Sequence, residues 1–149
     1  MKKGILFLII ILGLTIFTGC NSNDNNIEEN NESKKASIEK LDITLVDNEI
    51  INIKANGISN EYDNVELLLT IENKMEKPID LEVDNVAVGD TMEDTVFYSE
   101  ILGKKKSEET ITFDNLYDIK DIKGKVVEGT FTVYGTFEDY NFDFKEKID

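Results

Sequence analysis

The strongest constraint on this chain is a period of two in its apolar residues. Leu41, Ile43 and Leu45 alternate with Asp42 and Thr44, and Ile51, Ile53 and Ala55 resume the pattern after a turn at Asp47-Asn48. Val65, Leu67, Leu69 and Ile71 alternate with Glu66, Leu68, Thr70 and Glu72, and Ile79, Leu81 and Val83 alternate with Asp80, Glu82 and Asp84. Successive side chains of a strand point to opposite faces, so each run writes one buried face and one solvated face. Between the last two runs, Asn73 to Pro78 reads as a loop. The phase slips at Asn85, because Val86 and Val88 follow on the other parity, which predicts a bulge or a strand break. Gly89-Asp90 is a turn signal.

Val96 to Leu102 reads as one further strand, ended by Gly103-Lys104-Lys105-Lys106, and Thr110 to Phe113 as the next. In the long run from Val126 to Phe137, Phe131, Val133, Gly135 and Phe137 share one face, with Thr130, Thr132, Tyr134 and Thr136 opposite. Glu138-Asp139 turns the chain into Tyr140, Phe142 and Phe144. Leu116, Ile119 and Ile122 break the rule by recurring at every third residue, which predicts one short helical turn crossing between sheets. About seven or eight short strands joined by Gly/Asn/Asp turns predict an all-β, antiparallel β-sandwich. A small β-barrel writes a similar pattern and is the alternative.

The segment before residue 21 has a different logic. Lys2 and Lys3 precede an apolar stretch from Gly4 to Phe17. That stretch of roughly 14 residues is short of the about 20 needed to span a bilayer, and fits the apolar region of a signal peptide. Phe17-Thr18-Gly19-Cys20 resembles the lipobox of bacterial lipoproteins at Thr18, Gly19 and Cys20, and departs from it at Phe17, where a smaller aliphatic residue is usual. The resemblance implies that a diacylglyceryl group is joined to the Cys20 thiol and that cleavage falls just before it. Two long acyl chains at about 0.8 kcal/mol per buried CH₂ anchor stably where one does not. The competing reading is an ordinary secretory signal beside a stray cysteine, which would leave an odd free thiol. The basic residues ahead of the apolar stretch leave the rest of the chain outside the cytoplasm, so a cell-membrane, extracytoplasmic location is expected.

Asn21 to Lys35 has no hydrophobic period, and Ile27 is its one large apolar residue. Such a composition cannot bury enough surface to offset the entropy of ordering. The expected division is therefore a signal peptide over residues 1–19, a lipidated and unstructured tether over 20–37, and one folded domain over 38–149.

The formal net charge is −15, which opposes binding to nucleic acid and to an anionic membrane surface. The chain has no His, no Trp and no Arg, and its single Cys is Cys20. His-based acid/base catalysis, Ser-His triads and His-ligated metals are thereby removed. Carboxylates are abundant, so a cell-wall glycan hydrolase using two of them is one alternative function, with Glu93-Asp94 and Glu138-Asp139 as the pairs to consider. The plainer reading is that these are turn and surface charges, as expected with 31 acidic residues.

A weak Ca²⁺-binding module is a second alternative. Asp80, Glu82 and Asp84 fall on one strand face, with Asp90 in the following turn, and oxygen ligands suit Ca²⁺. A solvated outer face accounts for the same alternation, so no metal or other cofactor is expected. Lys104-Lys105-Lys106 is the basic cluster of an acidic domain and the candidate contact with a wall polymer or an envelope protein. Lysines that guard a strand edge would look the same.

Val65-Glu66-Leu67-Leu68-Leu69-Thr70-Ile71-Glu72-Asn73-Lys74, then Lys77-Pro78-Ile79 and Val83-Asp84-Asn85-Val86-Ala87-Val88-Gly89, resemble the immunoglobulin-like domains of many Gram-positive lipoproteins. Ile101-Leu102-Gly103-Lys104-Lys105, Ile111-Thr112-Phe113 and Ile119-Lys120-Asp121-Ile122 continue the resemblance. Val88-Gly89 stands where that group usually has Asn-Gly. The resemblance implies an immunoglobulin-like sandwich outside the membrane, with a binding rather than a catalytic role. The expectation is a monomeric, lipid-anchored interaction module of the cell envelope that is not an enzyme.

Overall fold

The alternating runs form strands whose apolar faces bury against each other. A computed structural model describes residues 37–135 and 138–149. The expected signal peptide, Cys20 with its flanking motif, the expected tether up to residue 36, and Thr136 and Phe137 lie outside the described residues.

The first sheet contains β1 (Ile38–Asp47), β2 (Ile51–Tyr62), β3 (Asn64–Asn73), β6 (Thr95–Val96) and β8 (Lys106–Phe113), in the order β1-β2-β3-β8-β6. The second runs β10-β9-β4-β5, from β4 (Ile79–Val88), β5 (Thr91–Met92), β9 (Val126–Tyr134) and β10 (Tyr140–Lys147), and β7 (Tyr98–Ile101) also pairs with β4. All pairings are antiparallel. The sheets are separate and packed face to face, so the fold is an all-β sandwich and the barrel alternative is set aside. Leaving β1 aside, β2-β3-β8-β6 in the first sheet faces β10-β9-β4-β7 in the second.

The inward positions are the ones the alternation marks. Ile51, Ile53, Val65, Leu67, Ile71, Leu81, Phe131 and Val133 have no exposed surface. Each fully buried side chain of this size stabilises by roughly 1.5–3 kcal/mol. Phe131 sits at the centre, its ring 4.9 Å from that of Phe144 and 6.1 Å, edge on, from that of Phe97. The slip at Asn85 is a bulge: the β4–β9 register shifts between Asp84 and Ala87, and Asn85 takes φ 54°. The predicted helical turn is a 3-10 turn at Ile119–Asp121, with Leu116, Ile119 and Ile122 buried beneath it. It carries the chain from the first sheet to the second. Asp118 accepts from the Lys120 amide at 3.0 Å, and Asp121 accepts from the Asp118 amide at 3.0 Å.

Two sequence expectations need correction. Val96 to Leu102 is not one strand: Val96 pairs with Thr112 in the first sheet, whereas Tyr98–Ile101 pairs with β4 in the second. The chain changes sheet at Phe97, and the edge-on packing of its ring on Phe131 holds the crossing in place. Lys106 is not part of the turn but the first residue of β8, which starts four residues before the predicted Thr110. Its first half escapes a hydrophobic reading because Ser107 and Glu109 take the inward positions. Glu109 accepts from Ser99 Oγ at 2.7 Å and from Ser107 Oγ, so this inward carboxylate at the flank is satisfied. An inward charge of this kind also discourages edge-to-edge association.

Candidate functional site

Strand direction defines two ends. Ile38 opens β1 opposite Ser59, and Asp47 closes it opposite Asn52. At about 3.3 Å per residue the ends lie about 30 Å apart. Ser37 is at one end; the β1–β2, β3–β4, β7–β8 and β9–β10 connections meet at the other.

A cleft of about 440 Å³ opens at that far end, lined by Lys74, Met75, Glu76, Lys77, Pro78, Ile79, Lys104 and Gly135. Its shape is set by one buried polar residue. Asn73 continues the inward parity of β3 and has no exposed surface. Its Nδ2 donates to Lys77 O at 2.8 Å and to Ile101 O at 2.9 Å, and its Oδ1 accepts from the Met75 amide at 2.8 Å. One side chain therefore folds the 74–78 loop back on itself and ties it to the end of β7. The Asn73 amide donates to Lys105 O at 2.9 Å, and the Lys104 amide to Met75 O at 2.9 Å, which joins the loop to the β7–β8 turn. Gly103 lies so close to the Glu76 carbonyl that a Cβ there would collide with it. Gly135 combines φ 89° with the Pro78 carbonyl 3.1 Å from where a Cβ would stand, so only glycine suits that wall.

The lining carries three ammonium groups against one carboxylate in a strongly acidic protein. Lys74 Nζ donates to Asp47 Oδ1 at 2.6 Å and to Asn48 O at 2.7 Å. Lys104 Nζ donates to Lys74 O at 2.7 Å and lies 3.4 Å from Glu76, whose side chain is 85% exposed. The structure thus divides the lysine run. Lys104 turns over the cleft, Lys106 pairs with Glu72 at 3.2 Å, and Lys105 has its side chain in solvent between them.

The hydrogen bond from Lys74, and a second from Asn52, hold the Asp47 carboxyl below the ordinary value of 3.8. A carboxyl depressed by folding contributes stability above its unfolded pKa and loses it as pH falls through the folded one. Asp47→Asn is therefore expected to lower the urea midpoint slightly at pH 7. That gap should close below pH 3.8. Urea unfolding of both proteins across this range checks it.

The candidate calcium ligands do not converge. Asp80 accepts from Tyr98 OH at 2.8 Å, and Glu82 accepts from Tyr134 OH at 3.3 Å. Both phenols are pushed up, Tyr98 first by that hydrogen bond and Tyr134 first by desolvation. Alternate residues of a strand stand about 6.8 Å apart, whereas Ca²⁺ takes its oxygens at 2.3–2.6 Å. Asp90 lies beyond the other end of β4. Among the described residues no three acidic, His or Cys side chains form a group fit for a metal.

The acidic pairs are also apart. Glu138-Asp139 follows Tyr134, which pairs with Asp80, and Glu93-Asp94 follows Met92, which pairs with Ala87. That register sets the two pairs at opposite ends of β4, about 23 Å apart, so the four carboxylates do not form one site. A second, shallower depression of about 340 Å³ lies over the Asn85 bulge. Its charges are satisfied internally, with Lys145 2.5 Å from Glu128 and Thr130 donating to Asp143 at 2.8 Å.

Residue-type reasoning singled out Lys104 but missed Asn73 and the 74–78 loop as the cleft's frame. The available signal was an Asn on the inward parity after Val65, Leu67, Leu69 and Ile71. No protein-family model matches this chain, and no curated protein matches it.

Proposed function

We propose that the protein is a lipid-anchored module of the cell envelope that binds a partner and does not catalyse a reaction. Cys20 carries the lipid, and the domain works at the extracytoplasmic face of the membrane. The observation that carries the binding role is the basic-rimmed cleft at the end of the sandwich opposite Ser37. The absence of His, and of a second Cys, from the sequence supports a non-catalytic role. The cleft is lined by a single carboxylate, Glu76, where glycan hydrolysis uses two. The resemblance to immunoglobulin-like domains of Gram-positive lipoproteins agrees with the sandwich.

Metabolic labelling with an alkyne fatty acid tests the anchor. The wild-type chain is expected to take up label and sediment with membranes, and Cys20→Ala to take up none. Label retained by Cys20→Ala would overturn the anchor. Crosslinking on intact cells tests the binding role, which fails if the full chain captures no more than its first 37 residues fused to an unrelated domain.

A further inference from the structure

The far-end cleft combines an apolar surface with exchangeable cations. Met75, Pro78 and Ile79 supply the apolar part, and Lys77 and Lys104 stand on the rim. Lys104 is matched by Glu76 at 3.4 Å, an exposed pair of the kind worth about 0–1 kcal/mol. A carboxylate arriving from outside can therefore take the place of Glu76 at a cost of no more than about 1 kcal/mol. The cleft volume of about 440 Å³ lies in the range that holds a small ligand or a short peptide segment.

Resting on the binding-module reading, we propose that the cleft takes an acidic peptide segment, with an apolar side chain against Met75 and Pro78 and the neighbouring carboxylate on Lys104 and Lys77. The Met75-Glu76 pair of the loop already sets an apolar group beside a carboxylate at this place. A polyol phosphate polymer has anions but nothing to cover Met75 and Pro78. A lipid headgroup is disfavoured because an anionic bilayer would meet the strongly acidic domain as a whole. The net charge of −15 repels acidic chains generally, so binding is local and modest, and salt screens the repulsion as well as the attraction.

The test is a titration of the mature, ¹⁵N-labelled chain with the peptide N-acetyl-Leu-Glu-Glu, followed by amide shifts. Saturable shifts are expected at Met75, Lys77 and Lys104 with a millimolar Kd. The Kd should rise about tenfold in Lys77→Glu/Lys104→Glu and stay unchanged in Lys147→Glu. In the wild-type chain alone it should also rise about tenfold when the peptide is N-acetyl-Leu-Gln-Gln, a readout independent of how the variants fold. Absence of shifts, shifts elsewhere, or an equal Kd for the acidic and the neutral peptide would overturn the proposal. Shifts at the cleft with poly(glycerol phosphate) or phosphatidylglycerol vesicles but not with the peptide would overturn the ligand class and leave the binding module standing. Failure of the module itself is read separately, from the crosslinking on cells.

Discussion

Asn73→Asp is expected to destabilise the domain by about 3 kcal/mol at pH 7, on the order of 10 °C in Tm. The substitution keeps the size and shape of the side chain, so packing is not what changes. An oxygen replaces Nδ2 and faces the carbonyls of Lys77 and Ile101, which both lose their donor. A buried acceptor left without a partner costs about 1–3 kcal/mol, and a charge without one costs more. The new carboxyl would have a raised pKa in the folded state, so the deficit is fullest above that pKa and shrinks as pH falls. Urea unfolding at pH 7 and pH 5 checks both the size and the direction. An Asp variant as stable as the wild type at pH 7 would mean that Asn73 does not hold the loop.

Phe131→Ala is expected to cost about 3–5 kcal/mol, a large share of the 5–15 kcal/mol that holds a typical domain together. Phe131 has no exposed surface and packs against Phe97 and Phe144, which come from different segments of the chain. Removing its ring leaves a cavity and withdraws the surface on which Phe97 rests at the crossing between sheets. No disulfide shares that burden, because the sequence has a single cysteine. The urea midpoint should fall steeply with little change in slope, since the same surface is exposed on unfolding. Phe131→Leu should recover more than half of the loss. A change under 1 kcal/mol in Phe131→Ala would show that the centre of the core lies elsewhere.

Fold class was legible because burial on one face imposes a parity that few other constraints disturb. Val65 to Ile71 and Ile79 to Val83 were read directly, and the slip at Asn85 was visible as a change of parity. The crossing at Phe97 was not legible, since Val96 and Tyr98 each fit an extended strand and partner choice is set by distant Thr112 and Glu82. The first half of β8 was hidden by inward Ser107 and Glu109, which read as surface residues until Ser99 is brought beside them. At the cleft, Lys104 announced itself by charge. Asn73 did not, because its role depends on carbonyls four and 28 residues further on.

The placement of Ser37 and the cleft at opposite ends has a mechanical meaning. A pull between a partner in the cleft and the entry point of the chain runs parallel to the strands. In that direction the hydrogen bonds joining β1 to β2 are loaded together, in shear, instead of parting one after another like a zipper. Lifetime under load is governed by the unfolding rate. The same edge strand would give way far sooner if the force were turned through a right angle.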